Sequence, residues 1–118
     1  EETTARVMEM VTDPARMKRT DPGNPDICNV FSMHKIFSPQ DEVNMIDEDC
    51  RVAGIGCVDC KKRFAANLNK DLEPFRAKRS ELESKPDYVR DVLNDGAKRA
   101  RVIAQETMNE VREAIGLP

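Results

Sequence analysis

The chain has 118 residues, with 19 Lys+Arg, 22 Asp+Glu and one His for a formal net charge of −3, and 39% of it is hydrophobic. That length suits one compact domain able to bury roughly 65% of its unfolded surface, and Phe31, Phe37, Phe64, Phe75 and Tyr88 are its only aromatics, so the core is expected to be aliphatic. No stretch approaches the ~20 apolar residues of a membrane span, and the opening residues carry neither a basic nor an apolar signal segment. A soluble protein is the expectation. Phosphate loops, dinucleotide fingerprints, HExxH and GxSxG are all absent, and a single His leaves no Ser/His/Asp site, so no catalytic residue is assigned. A start at Glu1 rather than Met is expected of a piece of a longer protein.

Thr3 or Thr4 can cap a first short helix through Val7, Met8 and Val11, with Asp13-Pro14 stopping it. Residues 16–26 hold Pro22, Gly23, Asn24 and Pro25 and read as an ordered pair of turns. From Ile27 to Phe37 the apolar spacing predicts a helix capped by Asp26, with Cys28 on its first turn. Ser38-Pro39-Gln40-Asp41 opens the next helix, from about Pro39 to Glu48, with Ser38 as the hydroxyl cap. Gly54 and Gly56 then make a tight connection flanked by Cys50 and Cys57.

A long helix follows, with Phe64, Leu68, Leu72, Phe75 and Leu82 on one face and Pro74 expected to kink it. Lys85-Pro86 starts the last helix, where Val89, Leu93, Gly96, Ala100, Ile103, Ala104, Val111 and Ile115 keep a 3.6-residue rhythm and Gly116 is a natural stop. No alternating strand pattern or repeat is visible. The fold class is all-α, a single small helical bundle with a four-cysteine metal site.

Cys28, Cys50, Cys57 and Cys60 carry the strongest chemical signal. Cys57-Val58-Asp59-Cys60 opens the long helix, where free N–H groups and the helix dipole favour thiolates. Lys61, Lys62 and Arg63 follow at once and would offset the negative charge of a thiolate-bound [4Fe–4S] cluster. Zinc would benefit in the same way, although zinc sites usually show two short knuckles and this chain has one. A disulfide framework lacks a secretory context, and a thioredoxin-like pair lacks its βαβ setting. His34, about 600° around a helix from Cys28, reads as a surface or partly buried residue rather than a ligand. The methionines, among them Met8, Met33, Met45 and Met108, form no single stripe and read as core filler.

Charge is segregated despite the small net value. Residues 61–79 hold seven Lys/Arg against two Asp/Glu, whereas Asp41, Glu42, Asp47, Glu48 and Asp49 crowd the helix before Cys50. Lys98, Arg99 and Arg101 add a second basic patch. Such runs are commonly solvated faces; here they also suit a phosphate track for structured RNA beside the metal site.

Val-Thr-Asp-Pro-Ala-Arg at 11–16, Arg-Thr-Asp-Pro-Gly-Asn-Pro at 19–25, Cys-Asn-Val-Phe at 28–31 and Gly-Cys-Val-Asp-Cys-Lys-Lys at 56–62 resemble bacterial tryptophanyl-tRNA synthetases. Tyr-Val-Arg-Asp-Val-Leu at 88–93 and Glu-Thr-Met-Asn-Glu-Val-Arg-Glu-Ala at 106–114 extend the resemblance over nearly the whole chain. It implies the C-terminal helical part of a class I synthetase, the domain that takes part in anticodon recognition. A subset of that family holds a [4Fe–4S] cluster on four cysteines, and Cys28, Cys50, Cys57 and Cys60 look like those positions, with the first gap one residue shorter.

The His-Ile-Gly-His type signature, the Lys-Met-Ser-Lys-Ser loop and a βαβ nucleotide site are missing from the chain, so it is not expected to aminoacylate alone. ATP, Mg and tryptophan would be used by the intact ligase, which activates tryptophan as an adenylate before transfer to tRNA. The implied partners are tRNA(Trp) and a second subunit of a homodimer that contacts tRNA across subunits, with no DNA or membrane, in the cytoplasm. Lys61, Lys62 and Arg63, then Lys98 and Arg101, are the candidate tRNA contacts. Two other roles stay open: a redox- or iron-sensing cluster module, and a zinc-clipped stand-alone paralogue.

Overall fold

The structure, a computed structural model, describes residues 1–117. Among the described residues five helices follow one another: α1 (Glu2–Glu9), α2 (Asn29–Phe37), α3 (Gln40–Arg51), α4 (Cys57–Glu83) and α5 (Pro86–Ala114), with a 3-10 turn at Pro25–Ile27 before α2. There is no strand among the described residues, in agreement with the all-α expectation. The chain divides into two compact units, Glu1–Phe75 and Arg76–Pro118.

The first unit holds the core. Val30, Phe31 and His34 on α2, Val43 and Ile46 on α3, and Cys60, Phe64 and Ala65 on α4 fall at steps of one, three or four residues, which puts each set on one helix face. Val7, Cys28 and Ile55 close the cluster, and Met10, Met33, Phe37, Cys50 and Leu68 pack at its margin. Phe64 lies at the centre, fully buried, with the Phe37 ring 6.3 Å away. Met10 and Met33 act as the expected filler at the margin of the core, whereas Met17, Met45 and Met108 are exposed, which corrects the reading of the methionines as core filler.

Several boundaries differ from the sequence expectation. α1 starts at Glu2 and ends at Glu9, four residues before Asp13, and neither Thr3 nor Thr4 caps it. α2 is capped by Cys28 rather than Asp26, because Pro25 and Asp26 are used in the 3-10 turn that Asn24 caps through its side chain. α3 begins one residue after Pro39 and runs on to Arg51; Ser38 provides no hydroxyl cap because its Oγ is engaged elsewhere. The turns expected over residues 16–26 are tied down, with Asp13 ahead of them as an anchor. Asp13, 7% exposed, accepts from the backbone N–H of Ala15 and of Asn24, both at 2.8 Å, and Lys18 and Asp21 close a turn of their own.

The apolar face of α4 is shorter than its spacing suggests. Phe64 is buried and Leu68 packs on the core, but Phe75 is 71% exposed. The helix continues through Pro74. In the second unit, the end of α4 is laced by Lys78–Glu81 (2.8 Å), Arg79–Glu83 (2.7 Å) and Lys85–Glu81 (3.0 Å) ion pairs. α5 starts on Pro86 as expected, yet its apolar rhythm buries no residue. Its stop is a Schellman turn: Gly116, at φ +70°, donates to Glu113 O, and Leu117 donates to Arg112 O. No helix among the described residues is long and apolar enough to cross a membrane.

Candidate metal centre and its surroundings

Cys28 ends the 3-10 turn, Cys50 sits in the last turn of α3, Cys57 opens α4 and Cys60 lies one turn further on. All four are free thiols, Cys28 and Cys60 buried and the other two half-buried. Burial pushes the Cys50 thiol up, against the Arg16 charge that lowers it, and the Cys28 and Cys57 sulfurs add to the rise. Cys60 is pushed up to about 12, first by burial and then by Cys28, Cys50 and Cys57. The four sulfurs therefore act on one another electrostatically. Burial and the neighbouring sulfurs thus favour the protonated form of Cys50 and Cys60, and a bound cation or cluster would favour their thiolates. Among the described residues no group of three or more His, Cys, Asp or Glu is gathered tightly enough to hold a single metal ion.

The cation that touches two of the sulfurs is a residue that the sequence reading passed over. Arg16 places Nη1 3.9 Å from Cys50 Sγ and 3.8 Å from Cys57 Sγ, while Nη2 donates to Ile55 O at 2.8 Å and Arg19 O at 3.0 Å. Its Nε is buried without a partner. Arg19 donates to Ala53 O and, at 2.9 Å, to Gly54 O. The two arginines thus collect the carbonyls of residues 53–55 in the connection between Cys50 and Cys57. That connection is tight enough to force Ala53 to φ 59°. Gly23 closes the other side: its N–H donates to Cys50 O, and a Cβ there would stand 2.6 Å from Cys50 Sγ and 3.3 Å from Arg16 Cδ. Beside Cys57 a cavity of about 290 Å³ is lined by Thr12, Arg16, Lys18, Arg19 and Val58 among others.

His34 is fully buried, which corrects the expectation of a surface or partly buried residue. Its Nε2 lies 3.2 Å from Cys60 O and its Nδ1 2.7 Å from Ser38 Oγ. Asn67 donates to the same Ser38 Oγ at 2.8 Å and to Glu42 at 2.6 Å. Ser38, accepting from Asn67, is left to donate to Nδ1, so Nε2 carries the proton toward Cys60 O. Burial lowers the His34 pKa and keeps the ring neutral. Sequence spacing could not find this pair, because residues 34 and 60 meet only through tertiary packing.

The candidate RNA contacts separate. Lys61 donates to Met8 O at 2.8 Å, fastening α4 to α1, and Arg63 pairs with Glu42 at 3.7 Å. Lys62 is exposed. Lys98 and Arg101, in the second unit, line one side of α5 with Val102, Gln105, Glu106 and Asn109. Arg99, between them, is paired with Asp95 at 3.0 Å.

Comparison with known proteins gives a consistent likeness. No protein-family model matches the chain. It is 49% identical over 105 residues to the tryptophan–tRNA ligase of Deinococcus radiodurans, covering 89% of this chain and 32% of that protein. It is 46% identical over 119 residues to the ligase of the same name from Aquifex aeolicus, covering 100% of this chain and 30% of that protein. The crystal structure of tryptophanyl-tRNA synthetase from Campylobacter jejuni matches with a TM-score of 0.77 at 30% identity, over 97% of this chain and 36% of that one. The chain thus spans about a third of the length of the curated relatives it matches. In sequence and in helical fold, along nearly its whole length, it is similar to the C-terminal region of bacterial tryptophanyl-tRNA synthetases.

Proposed function

We propose that this chain is the tRNA(Trp)-recognition region of a tryptophan–tRNA ligase and that Cys28, Cys50, Cys57 and Cys60 hold a [4Fe–4S] cluster. The observation that carries the first part is the likeness to tryptophan–tRNA ligases over 89–100% of the chain. In the intact, homodimeric cytoplasmic ligase, ATP and Mg activate tryptophan in a catalytic part whose signatures this chain lacks, and this region binds the tRNA. The RNA-facing cations are Lys62, Lys98 and Arg101, since Lys61 and Arg63 already have partners within the fold.

The cluster reading is supported by the donor set. Cys50 and Cys57 both meet the Arg16 guanidinium, and the Cys60 thiol is raised first by burial and then by the other three sulfurs, which places the four free cysteines near one another. Zinc is the runner-up, because structural zinc sites usually present two short cysteine or histidine knuckles and this chain has one, Cys57-Val58-Asp59-Cys60. A four-iron core held by four cysteines spreads the sulfurs over separate irons. When bound, the cluster supplies a rigid link among the 3-10 turn, α3 and α4. The protein's own part is to close the 51–56 connection, shield Cys60 against His34 and offset negative charge with Arg16.

The test uses the full chain purified without oxygen. About four irons and four sulfides per chain, with broad absorbance near roughly 400 nm, are expected. tRNA(Trp) should bind more tightly than a non-cognate tRNA, and Lys62→Glu combined with Arg101→Glu should weaken binding at least about tenfold and flatten its salt dependence by ~2 in slope. Equal binding of unrelated tRNAs, or no binding, overturns the recognition role. One zinc per chain and no colour overturns the cluster.

A further inference from the structure

A cationic residue set against two half-buried sulfurs, with its remaining donors spent on the backbone between them, is an arrangement whose function is geometric as well as electrostatic. Arg16 comes from a loop 34 residues before Cys50 and 41 before Cys57, so its contact with both is tertiary. One guanidinium fixes four things: Cys50 Sγ, Cys57 Sγ, Ile55 O and Arg19 O. Its Nε is buried and has no hydrogen-bond partner among the described residues. The absence of a side chain at Gly23 is what lets Cys50 Sγ and the Arg16 stem occupy the same space.

We propose that Arg16 is the positioning residue of the four-cysteine site: it sets the separation of Cys50 and Cys57, and its permanent charge stabilises the electron-rich form of the group they hold. This rests on the cluster reading above. A planar, always-charged fork can bridge two sulfurs and two carbonyls at once, whereas a lysine offers a single point of charge. N–H donors to ligating sulfurs and a nearby positive charge are levers that set a cluster's potential and its retention. Arg19 provides the internal contrast. It also holds the connection, through Ala53 O and Gly54 O, but has no sulfur contact.

The experiment compares the full-length wild-type chain with Arg16→Gln, Arg16→Lys and Arg19→Gln, all purified without oxygen and checked for helicity by circular dichroism. Iron and sulfide per chain, the rate of iron loss to a chelator, and the midpoint of one-electron reduction with dithionite are read for each. Arg16→Gln is expected to lose iron at least about tenfold faster and to shift the midpoint downward, since an added electron loses a neighbouring cation. Arg16→Lys should keep a midpoint close to wild type yet lose iron faster, because charge survives and the bridging does not. Arg19→Gln should leave the midpoint unchanged.

If Arg16→Gln fails to fold, the lysine variant carries the test. Iron loss and midpoint that match wild type in a folded Arg16 variant overturn the assignment while leaving the cluster reading intact, and so does an Arg19→Gln variant that moves the midpoint as far. A wild-type chain that binds zinc overturns the cluster reading alone, and Arg16 is then judged by whether Arg16→Gln releases zinc faster. A wild-type chain that holds neither metal overturns both.

Discussion

The ring of His34 meets Cys60 twice, with Nε2 3.2 Å from the carbonyl oxygen and 3.5 Å from the sulfur. The same ring stands edge-on to Phe64 at 5.3 Å, so one buried side chain couples the first turn of α4, which carries Cys57 and Cys60, to the centre of the core. His34→Ala removes a fully buried ring and leaves Ser38 Oγ and Cys60 O with one partner fewer. A loss of about 2–4 kcal/mol is expected, read as a lower midpoint in urea denaturation. An unchanged midpoint would mean that α2 and α4 are not joined through this ring.

Phe64 and Phe75 stand on the same expected stripe of α4 with opposite surroundings. Phe64 is fully buried between His34 and Phe37, while Phe75 is 71% exposed. Phe64→Ala is expected to cost about 3–5 kcal/mol, and Phe75→Ala to stay within about 0.5 kcal/mol in the isolated chain. Equal effects in thermal or urea melts would show that the stripe packs as one face, as its spacing alone suggests.

That contrast marks where the sequence was legible. Helix existence and the order of the five helices follow from apolar spacing, and the Pro86 start and Gly116 stop of α5 follow from backbone chemistry that acts within a few residues. The placing of Cys57 and Cys60 on the first turn of α4, after the Gly54 and Gly56 connection, was visible as well. Arg16 and His34 were not, since each meets its sulfur across tens of residues. Periodicity also cannot tell which part of an amphipathic helix finds a partner: α5 keeps its rhythm through 29 residues and buries none of them. Nor can charge counting reveal that Lys61 and Arg63 are spent on Met8 O and Glu42.

Gly23 and Gly96 give opposite answers to the same substitution. At Gly23 a Cβ would meet Cys50 Sγ at 2.6 Å and the Arg16 side chain at 3.3–3.4 Å, so Gly23→Ala must displace the Cys50 sulfur and the Arg16 side chain together. Reduced iron content and a stability loss of about 1–3 kcal/mol are expected. At Gly96, inside α5, a Cβ would meet nothing within 4 Å, and Gly96→Ala should stabilise the helix by about 0.5–1 kcal/mol. Circular dichroism at 222 nm and iron analysis on the two variants separate the cases. A Gly23→Ala chain that loads iron normally would mean that the sulfur and the arginine can move aside.

Amide exchange should divide the helices by burial rather than by length. α5 spans about 43 Å at 1.5 Å per residue, and its described side chains are all exposed or half-buried. The ion pairs that decorate it, Arg90–Asp87 at 3.4 Å and Arg99–Asp95 at 3.0 Å, are solvent-exposed and contribute little. Helical stability in proteins comes mainly from packing of an apolar face, so opening of residues 86–114 in the isolated chain should cost far less than opening of α2, α3 or the first three turns of α4. Hydrogen–deuterium exchange followed by peptide mass spectrometry is expected to show residues 86–114 exchanging at least about tenfold faster than residues 57–68. Equal protection in the two segments would mean that the apolar stripe of α5 is covered in the isolated chain, and a concentration series would then tell whether a second copy covers it.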